Sequence, residues 1–310
     1  MKKLVLIDGN ALLHRAYHAM PGLTNPKGEP IGAVYGFFGM LLNVLQDQKP
    51  EHLIVCFDRS KPTIRQSMYA GYHAHRPPME SELLTQVKVI DDLLEASNVT
   101  ISSAEGYEGD DVIGTYAREA IEETQDTEVI IVTGDRDLLQ LINERVKILM
   151  LVTGITKTIL YDAQAVEEKY GVTPAQFIDY KALIGDPSDG YPGIAGVGPK
   201  TASGLLQKYE TFENLYLKIG ELPERIGLKL ATDAEQGALA KKLAAIITDA
   251  PVHLRLADSL VIDIDFDSMR KEFEAHNFKS LLARLDARYP RKATPKKEVK
   301  KENEDQLGLL

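Results

Sequence analysis

Lys3-Leu-Val-Leu-Ile-Asp8, His52-Leu-Ile-Val-Cys-Phe-Asp58 and Val129-Ile-Ile-Val-Thr-Gly-Asp135-Arg-Asp137 each carry a short apolar run into a carboxylate. Runs of this length, rich in Val and Ile, have the character of strands buried on both faces of a parallel sheet. Segments with helical apolar spacing stand between them, at Ala11–Met20, Val34–Leu45, Ser81–Ser97 and Asp111–Glu123. Alternating strand and helix signals define an α/β domain with a mostly parallel sheet and helices on both faces. In such a sheet ligands bind outside the carboxyl ends of the strands. The three runs therefore aim Asp8, Asp58 and Asp135 at one crevice.

Further acidic groups follow at motif spacing: Glu108-Gly-Asp110-Asp111 and Gly185-Asp186-Pro-Ser-Asp189-Gly190. Glu108 and Asp111 stand three apart, so they face one way at a helix start. Asp135 and Asp137 share a face if their strand continues. A single aspartate after a strand is more often a turn or helix cap. Nine carboxylates together, Asp8, Asp58, Glu108, Asp110, Asp111, Asp135, Asp137, Asp186 and Asp189, weaken that reading. Packed into one crevice they would repel and raise one another's pKa values. A divalent cation relieves the repulsion, and an all-oxygen ligand set suits Mg²⁺ or Mn²⁺.

The formal net charge of the 310-residue chain is −10, and nine of those charges belong to this set. The remainder is almost balanced, so acidity does not exclude a nucleic-acid partner. An apolar fraction of 44% and a charged fraction of 26% fit an ordinary globular protein. The one cysteine, Cys56, lies in a strand run and reads as a buried thiol. Before Asp8 the apolar run is too short for a signal peptide, and no run reaches membrane-spanning length. A cytoplasmic protein without membrane contact is the expectation.

Strand signals fade after about Pro174 and helical segments dominate. We place a metal-binding α/β domain at 1–172, in which the resemblance given below implies an arch region at about 65–100, and a helical domain at 173–289. Residues 290–310 are nearly free of apolar side chains until their last few positions. Such a stretch cannot offset its ordering entropy and reads as a disordered tail. Glycines 193, 196 and 198 precede Pro199-Lys200-Thr201-Ala202. A Gly-rich turn opening a helix is a phosphate site, to which Lys200 adds charge, or an ordinary interhelical turn. Residues 59–76 interleave Arg59, Lys61, Arg65 and Arg76 with Tyr69, Tyr72, His73 and His75. This pattern suits single-stranded nucleic acid, or a solvated surface.

Taken in order, these stretches resemble the 5′-nuclease (flap endonuclease) family, in particular the 5′–3′ exonuclease domain of bacterial DNA polymerase I and its stand-alone relatives. The resemblance rests on Leu6-Ile-Asp8-Gly-Asn, Arg15-Ala-Tyr17-His, Phe57-Asp58, Tyr107-Glu108-Gly-Asp110-Asp111-Val-Ile-Gly, Thr133-Gly-Asp135-Arg-Asp137-Leu-Leu-Gln-Leu, Gly185-Asp186-Pro-Ser-Asp189 and Pro192-Gly-Ile-Ala-Gly-Val-Gly198-Pro-Lys200-Thr-Ala. It covers roughly residues 3–285.

The resemblance implies a PIN-like or resolvase-like sheet domain and a helix–hairpin–helix-type motif in the helical domain. It implies two metal groups, Asp8, Asp58, Glu108, Asp110 and Asp111 in one and Asp135, Asp137, Asp186 and Asp189 in the other, with Asp110 between them. Arg15, Arg65, His73 and Arg76 match phosphate-contacting positions, and His14 lies beside one. Tyr72, Gly193, Gly196, Gly198, Lys200 and Thr201 would contact DNA, with a K⁺ ion at the 193–202 turn. The implied activity is Mg²⁺-dependent hydrolysis near a 5′ end, nick or flap junction of DNA, including RNA primer strands, by a monomer. His73 stands where the family usually has lysine, and an imidazole carries less charge than an ammonium near neutral pH. Gly109 and Gly190 replace a usual Ala and Asn. The final residues, Gln306, Leu307, Gly308, Leu309 and Leu310, are similar to the peptide by which bacterial replication proteins bind the sliding clamp; an apolar end to a floppy tail is the competing reading. Two other functions stay open at this point, a PIN-type ribonuclease and a non-catalytic binder of branched DNA.

Overall fold

The computed structural model describes residues 2–58 and 62–291. Arg59, Lys61, the tail from 292 and the clamp-like residues Gln306, Leu307, Leu309 and Leu310 lie outside the described residues. Among the described residues eight strands are present, β1 Lys2–Asp8, β2 His52–Cys56, β3 Thr100–Ser102, β4 Thr127–Thr133, β5 Val146–Thr153, β6 Lys157–Tyr161, β7 Gly185–Asp186 and β8 Tyr191–Pro192. The helices are α1 Gly9–Ala19, α2 Gly32–Gln48, α3 Ile64–Met68, α4 Ser81–Ala96, α5 Gly109–Glu123, α6 Ala163–Tyr170, α7 Phe177–Ile184, α8 Pro199–Tyr209, α9 Phe212–Leu217, α10 Glu224–Thr232, α11 Ala234–Ala244, α12 Phe266–Ala275 and α13 Lys279–Arg288.

Six strands form one sheet in the order β3-β2-β1-β4-β5-β6. All pairs are parallel except β5 with the edge strand β6. The chain steps outward on one side of β1 and then on the other, so the crossover point lies between β1 and β4. Alternation along each strand divides the core. Leu4, Leu6, Ile54, Cys56, Val129 and Ile131 face α5 and the helical region. Val5, Ile7, Leu53, Val55, Ile130 and Val132 face α1, α2 and α4.

Two boundaries differ from the sequence expectation. Helix α4 lies within the stretch expected to form the arch, yet Leu83, Ile90, Leu93 and Leu94 bury it against the sheet layer. The stretch after α3 instead packs Tyr72 against Ala240, Leu243 and Ala244 of α11. Helices α12 and α13 were expected in the helical domain. Met269, Phe273, Phe278, Leu281 and Leu285 instead join the core that contains Phe37, Phe38 and Leu41 of α2. The chain therefore leaves the sheet domain, builds α7–α11, and returns to cover the sheet's other face. Burying that apolar stripe is worth about 1.5–3 kcal/mol per large side chain, which holds the return path in place.

Candidate active site

Asp8 ends β1 and caps α1, accepting from the Ala11 backbone N–H at 2.9 Å and from Thr133 Oγ1 at 2.7 Å. Thr133 ends β4, so this bond ties the two strands that flank the crossover point. Asp58 follows β2 and accepts from Asn10 Nδ2 at 2.8 Å and from the Gly109 N–H at 2.6 Å. A Cβ at Gly109 would press on Asp58 Oδ1 at 3.1 Å, which the glycine avoids. Asp110 sits in the first turn of α5. Its place there sets an acidic group at a helix N-terminus, where the dipole favours negative charge.

These side chains line a cleft of about 540 Å³ together with Glu108, Asp135, Asp137, Asp189, His14, Arg15, His73 and Arg76. An adjoining cavity of about 600 Å³ is lined by Asp135, Lys181 and Asp186. Asp135 is thus shared between the two hollows. Strand β4 stops at Thr133, and Asp137 opens a 3-10 turn over Asp137–Leu141. The expected strand alternation of Asp135 and Asp137 does not occur; Asp137 N–H instead donates to Asp135 Oδ1 at 2.7 Å. Oxygens of Asp137, Asp186 and Asp189 lie within 4.8 Å of one another.

The electrostatics follow from crowding in a desolvated place. Burial, opposed by the Ala11 and Thr133 hydrogen bonds, pushes Asp8 up to about 7. Burial and then the charges of Asp135, Asp8 and Asp58 hold Asp110 well above the usual carboxylate range. Burial also raises Asp135, and burial with the Asp135 charge raises Asp137 to about 8. Among the described residues, no Lys, Arg or His ion-pairs with Asp8, Asp58, Asp110 or Asp135. Carboxylates crowded into one cleft offer the oxygen donors that suit a hard divalent cation.

Asp111 and Arg65 depart from expectation. Asp111 is 1% exposed and held by Arg65 at 2.9 and 2.8 Å, and it also accepts from the Ile247 N–H. It is an internal carboxylate rather than a ligand facing the cleft. Arg65 is 4% exposed and donates to Asp111, Glu108 and the carbonyls of Leu243 and Ala245. Every N–H donor of its guanidinium has an internal partner, so it is not free for phosphate. Tyr72 is buried too, its hydroxyl on Glu108 at 3.0 Å and its ring stacked on His73, so it presents no open face to a base. Glu108 faces the cleft but already accepts from Thr63, Arg65 and Tyr72. Arg15 lines the cleft while donating to the carbonyls of Leu151 and Val152.

Segment 69–76 is seated on the loop that carries Asp189. His73 N–H donates to the Asp189 carbonyl at 2.8 Å, and His73 Nε2 and Arg76 Nη2 lie 3.1 and 2.9 Å from Asp189 Oδ1. Gly190 has φ +82°, and a Cβ there would meet Gly71 O at 2.7 Å. In the turn before α8, Gly193 packs its Cα against the Leu183–Gly185 backbone, while Gly198 caps α8 in open space. Lys200 and Thr201 occupy the first turn of α8. The Gly196 carbonyl accepts from Lys229 at 2.8 Å and the Gly193 carbonyl from Gln236.

Lys181 was not singled out from the sequence. It sits in the apolar helix α7, is 8% exposed, and pairs with Asp137 and Asp186. Burial disfavours its ammonium, but Asp137 and Asp186 outweigh that and hold its pKa above the usual lysine value. The signal was a charge inside Phe177-Ile-Asp-Tyr-Lys-Ala-Leu-Ile184, where no solvent-facing stripe accounts for it. Asn10 and Thr133, which position Asp58 and Asp8, were also passed over.

Residues 3–171 match the family model for the 5′-3′ exonuclease N-terminal resolvase-like domain. Residues 172–267 match the model for the 5′-3′ exonuclease C-terminal SAM fold. The chain therefore belongs to the 5′-3′ exonuclease family. It is 40% identical over 285 residues to DNA polymerase I of Bacillus subtilis, covering 92% of this chain and 32% of that protein. With DNA polymerase I of Caldicellulosiruptor bescii it shares 38% identity over 285 residues, 91% of this chain and 33% of that protein. It thus spans about a third of these relatives. Among solved structures, a bacteriophage T5 flap endonuclease in a pseudo-enzyme-product complex with DNA and metal ions aligns with TM-score 0.67 at 17% identity, over 92% of this chain and all of that one. The T5 5′-exonuclease with bound zinc gives 0.66 at 19%, with the same coverage. The catalytic core of Rad2 in complex with DNA substrate gives 0.57 at 14%, over 92% of this chain and 91% of that one. These likenesses establish a shared fold. No helix among the described residues is long and apolar enough to cross a membrane.

Proposed function

We propose that this chain hydrolyses phosphodiester bonds near the 5′ end or flap junction of DNA, using Mg²⁺ or Mn²⁺. Removal of flaps and RNA primers in replication and repair would be its use. One observation carries the reading: Asp8, Asp58, Asp110 and Asp135 meet in one cleft at the sheet's crossover point, and among the described residues no Lys, Arg or His ion-pairs with them. Bound there, divalent ions supply an activated water and neutralise charge on the phosphate. Asp8, Asp58, Asp110 and Asp135 would hold the first ion, and Asp137, Asp186 and Asp189 a second. Family membership and the DNA complex of the structurally similar T5 flap endonuclease support DNA as the substrate.

The chain's own cations would place the strand. Arg76, with its side chain 53% exposed, is open to a phosphate at the cleft mouth. Lys200 and Thr201 at the start of α8 would take the duplex backbone without reading sequence. A K⁺ ion at this turn would replace the Lys229 ammonium on the Gly196 carbonyl. The test is cleavage of a 5′-flap DNA beside an unpaired RNA of equal length, both in Mn²⁺. The reading requires cuts at the flap junction. Cutting of the RNA alone would favour a PIN-type ribonuclease, and tight flap binding without cuts a non-catalytic binder.

A further inference from the structure

The two carboxylate groups differ in one respect. The first, Asp8, Asp58, Asp110 and Asp135, has no ion-paired side chain among the described residues. The second has cations on every member. Lys181 Nζ lies 2.6 Å from Asp137 Oδ1 and is hydrogen-bonded to Asp186 Oδ2. Asp189 carries Arg76 at 2.9 Å and His73 at 3.1 Å. The Lys181 ammonium therefore sits against two of the three residues whose oxygens lie within 4.8 Å of one another.

We propose that Lys181 is a resident counter-cation of the second carboxylate group, which a divalent ion must displace in order to bind there. The inference rests on the metal-dependent reading above. An ion the size of Mg²⁺ binds carboxylate oxygens at about 2.0–2.1 Å. It competes for Asp137 and Asp186 with an ammonium already in contact with both. The lysine has somewhere to go, because the cavity of about 600 Å³ beside Asp135 and Asp186 is lined by Lys181 itself. Its four-carbon stem lets the charged head move while α7 stays packed on Phe177 and Leu183. Two ions would consequently enter at well-separated concentrations, the first group filling first.

The test is a Mn²⁺ titration of the full chain, with bound and free ion counted by electron paramagnetic resonance. Wild type should show a tight class and a weaker class. In Lys181→Met and in Lys181→Gln the weaker class should tighten by at least about tenfold, since a unit charge a few ångströms away opposes the ion in a partly desolvated site. Thermal melting in EDTA reports whether each variant is folded. The unaltered chain gives an independent readout through amine labelling and mass spectrometry. Lys181 should be protected without ion and in the tight range, and become reactive as the weaker class fills. A weaker class that is unchanged or lost in folded variants would overturn the proposal, as would persistent protection of Lys181 at saturation. Absence of any bound Mn²⁺ would instead overturn the metal-dependent reading on which it rests.

Discussion

The Arg65 guanidinium meets the Asp111 carboxylate through two hydrogen bonds, Nη1 to Oδ2 at 2.9 Å and Nη2 to Oδ1 at 2.8 Å, with both side chains almost wholly buried. Arg65 belongs to the segment beside the cleft and Asp111 to the helix that carries Asp110. The same guanidinium holds the Leu243 and Ala245 carbonyls at the end of α11. One side chain thus fastens the segment beside the cleft, the helix that carries Asp110 and the helical region to one another.

Arg65→Ala should therefore act on stability first. Removing one partner of a buried pair leaves an uncompensated charge and costs about 3–5 kcal/mol. Urea denaturation should show a loss of that order. A folded Arg65→Ala protein of unchanged stability that had merely lost DNA affinity would restore Arg65 as a phosphate contact.

Arg76 and Lys200 should behave in the opposite way. Arg76→Ala and Lys200→Ala should leave stability within about 0.5 kcal/mol, as exposed substitutions do. Each should lower DNA affinity and flatten its dependence on salt concentration by about one phosphate contact. An unaltered salt slope would remove that residue from the DNA-facing surface.

The raised carboxylates make a statement about pH. Asp8 titrates at about 7 and Asp137 at about 8 in the fold, against 3.8 as their ordinary value. Between 3.8 and those values the folded protein holds protons that the unfolded chain has released. Their contribution to stability without metal must then fall as pH rises through this window. Melting in EDTA should show that decline, and Asp8→Asn should lessen it. Added Mn²⁺ should raise the melting temperature more at pH 8 than at pH 5, because ionised ligands bind it better. Equal stabilisation at both values would mean these groups do not face the ion.

Gly190 seats the entry segment on the Asp189 loop. Gly190→Ala puts a Cβ at φ +82° and 2.7 Å from Gly71 O, so it should cost about 1 kcal/mol or more. Amide exchange at His73, whose N–H is held by Asp189 O, should accelerate. Gly204→Ala, in α8 with open space around it, should stabilise the chain by up to about 1 kcal/mol. A neutral Gly190→Ala with His73 still protected would mean that the segment does not rest on this contact.

The sheet and most of the site were legible because they depend on local pattern. Buried parallel strands write themselves as short apolar runs, and aspartates just beyond them converge by topology alone. What escaped depends on the path of the chain. Asp110 and Asp111 are neighbours in sequence, but a helix turns about 100° per residue, so one faces the cleft and the other faces Arg65. Nothing local to residues 59–76 says that Arg65 and Tyr72 will be covered by the end of α11. The same holds for Met269 and Phe273, whose helix rejoins the sheet domain after a long excursion. Lys181 had a local signal, a charge in an apolar helix, but its partners lie on other elements.

The carboxylates of the cleft are proposed to hold divalent ions for cutting DNA near a 5′ end, and this is the central claim. It is tested most directly by incubating the chain with a 5′-labelled DNA flap in Mg²⁺ or in EDTA and mapping the products, with Asp110→Ala alongside. The predicted result is cutting at the flap junction by the unaltered chain in Mg²⁺ alone, and none by Asp110→Ala, which should still bind the flap in Ca²⁺. Cutting that persists in EDTA, or near-normal turnover by Asp110→Ala, would contradict it.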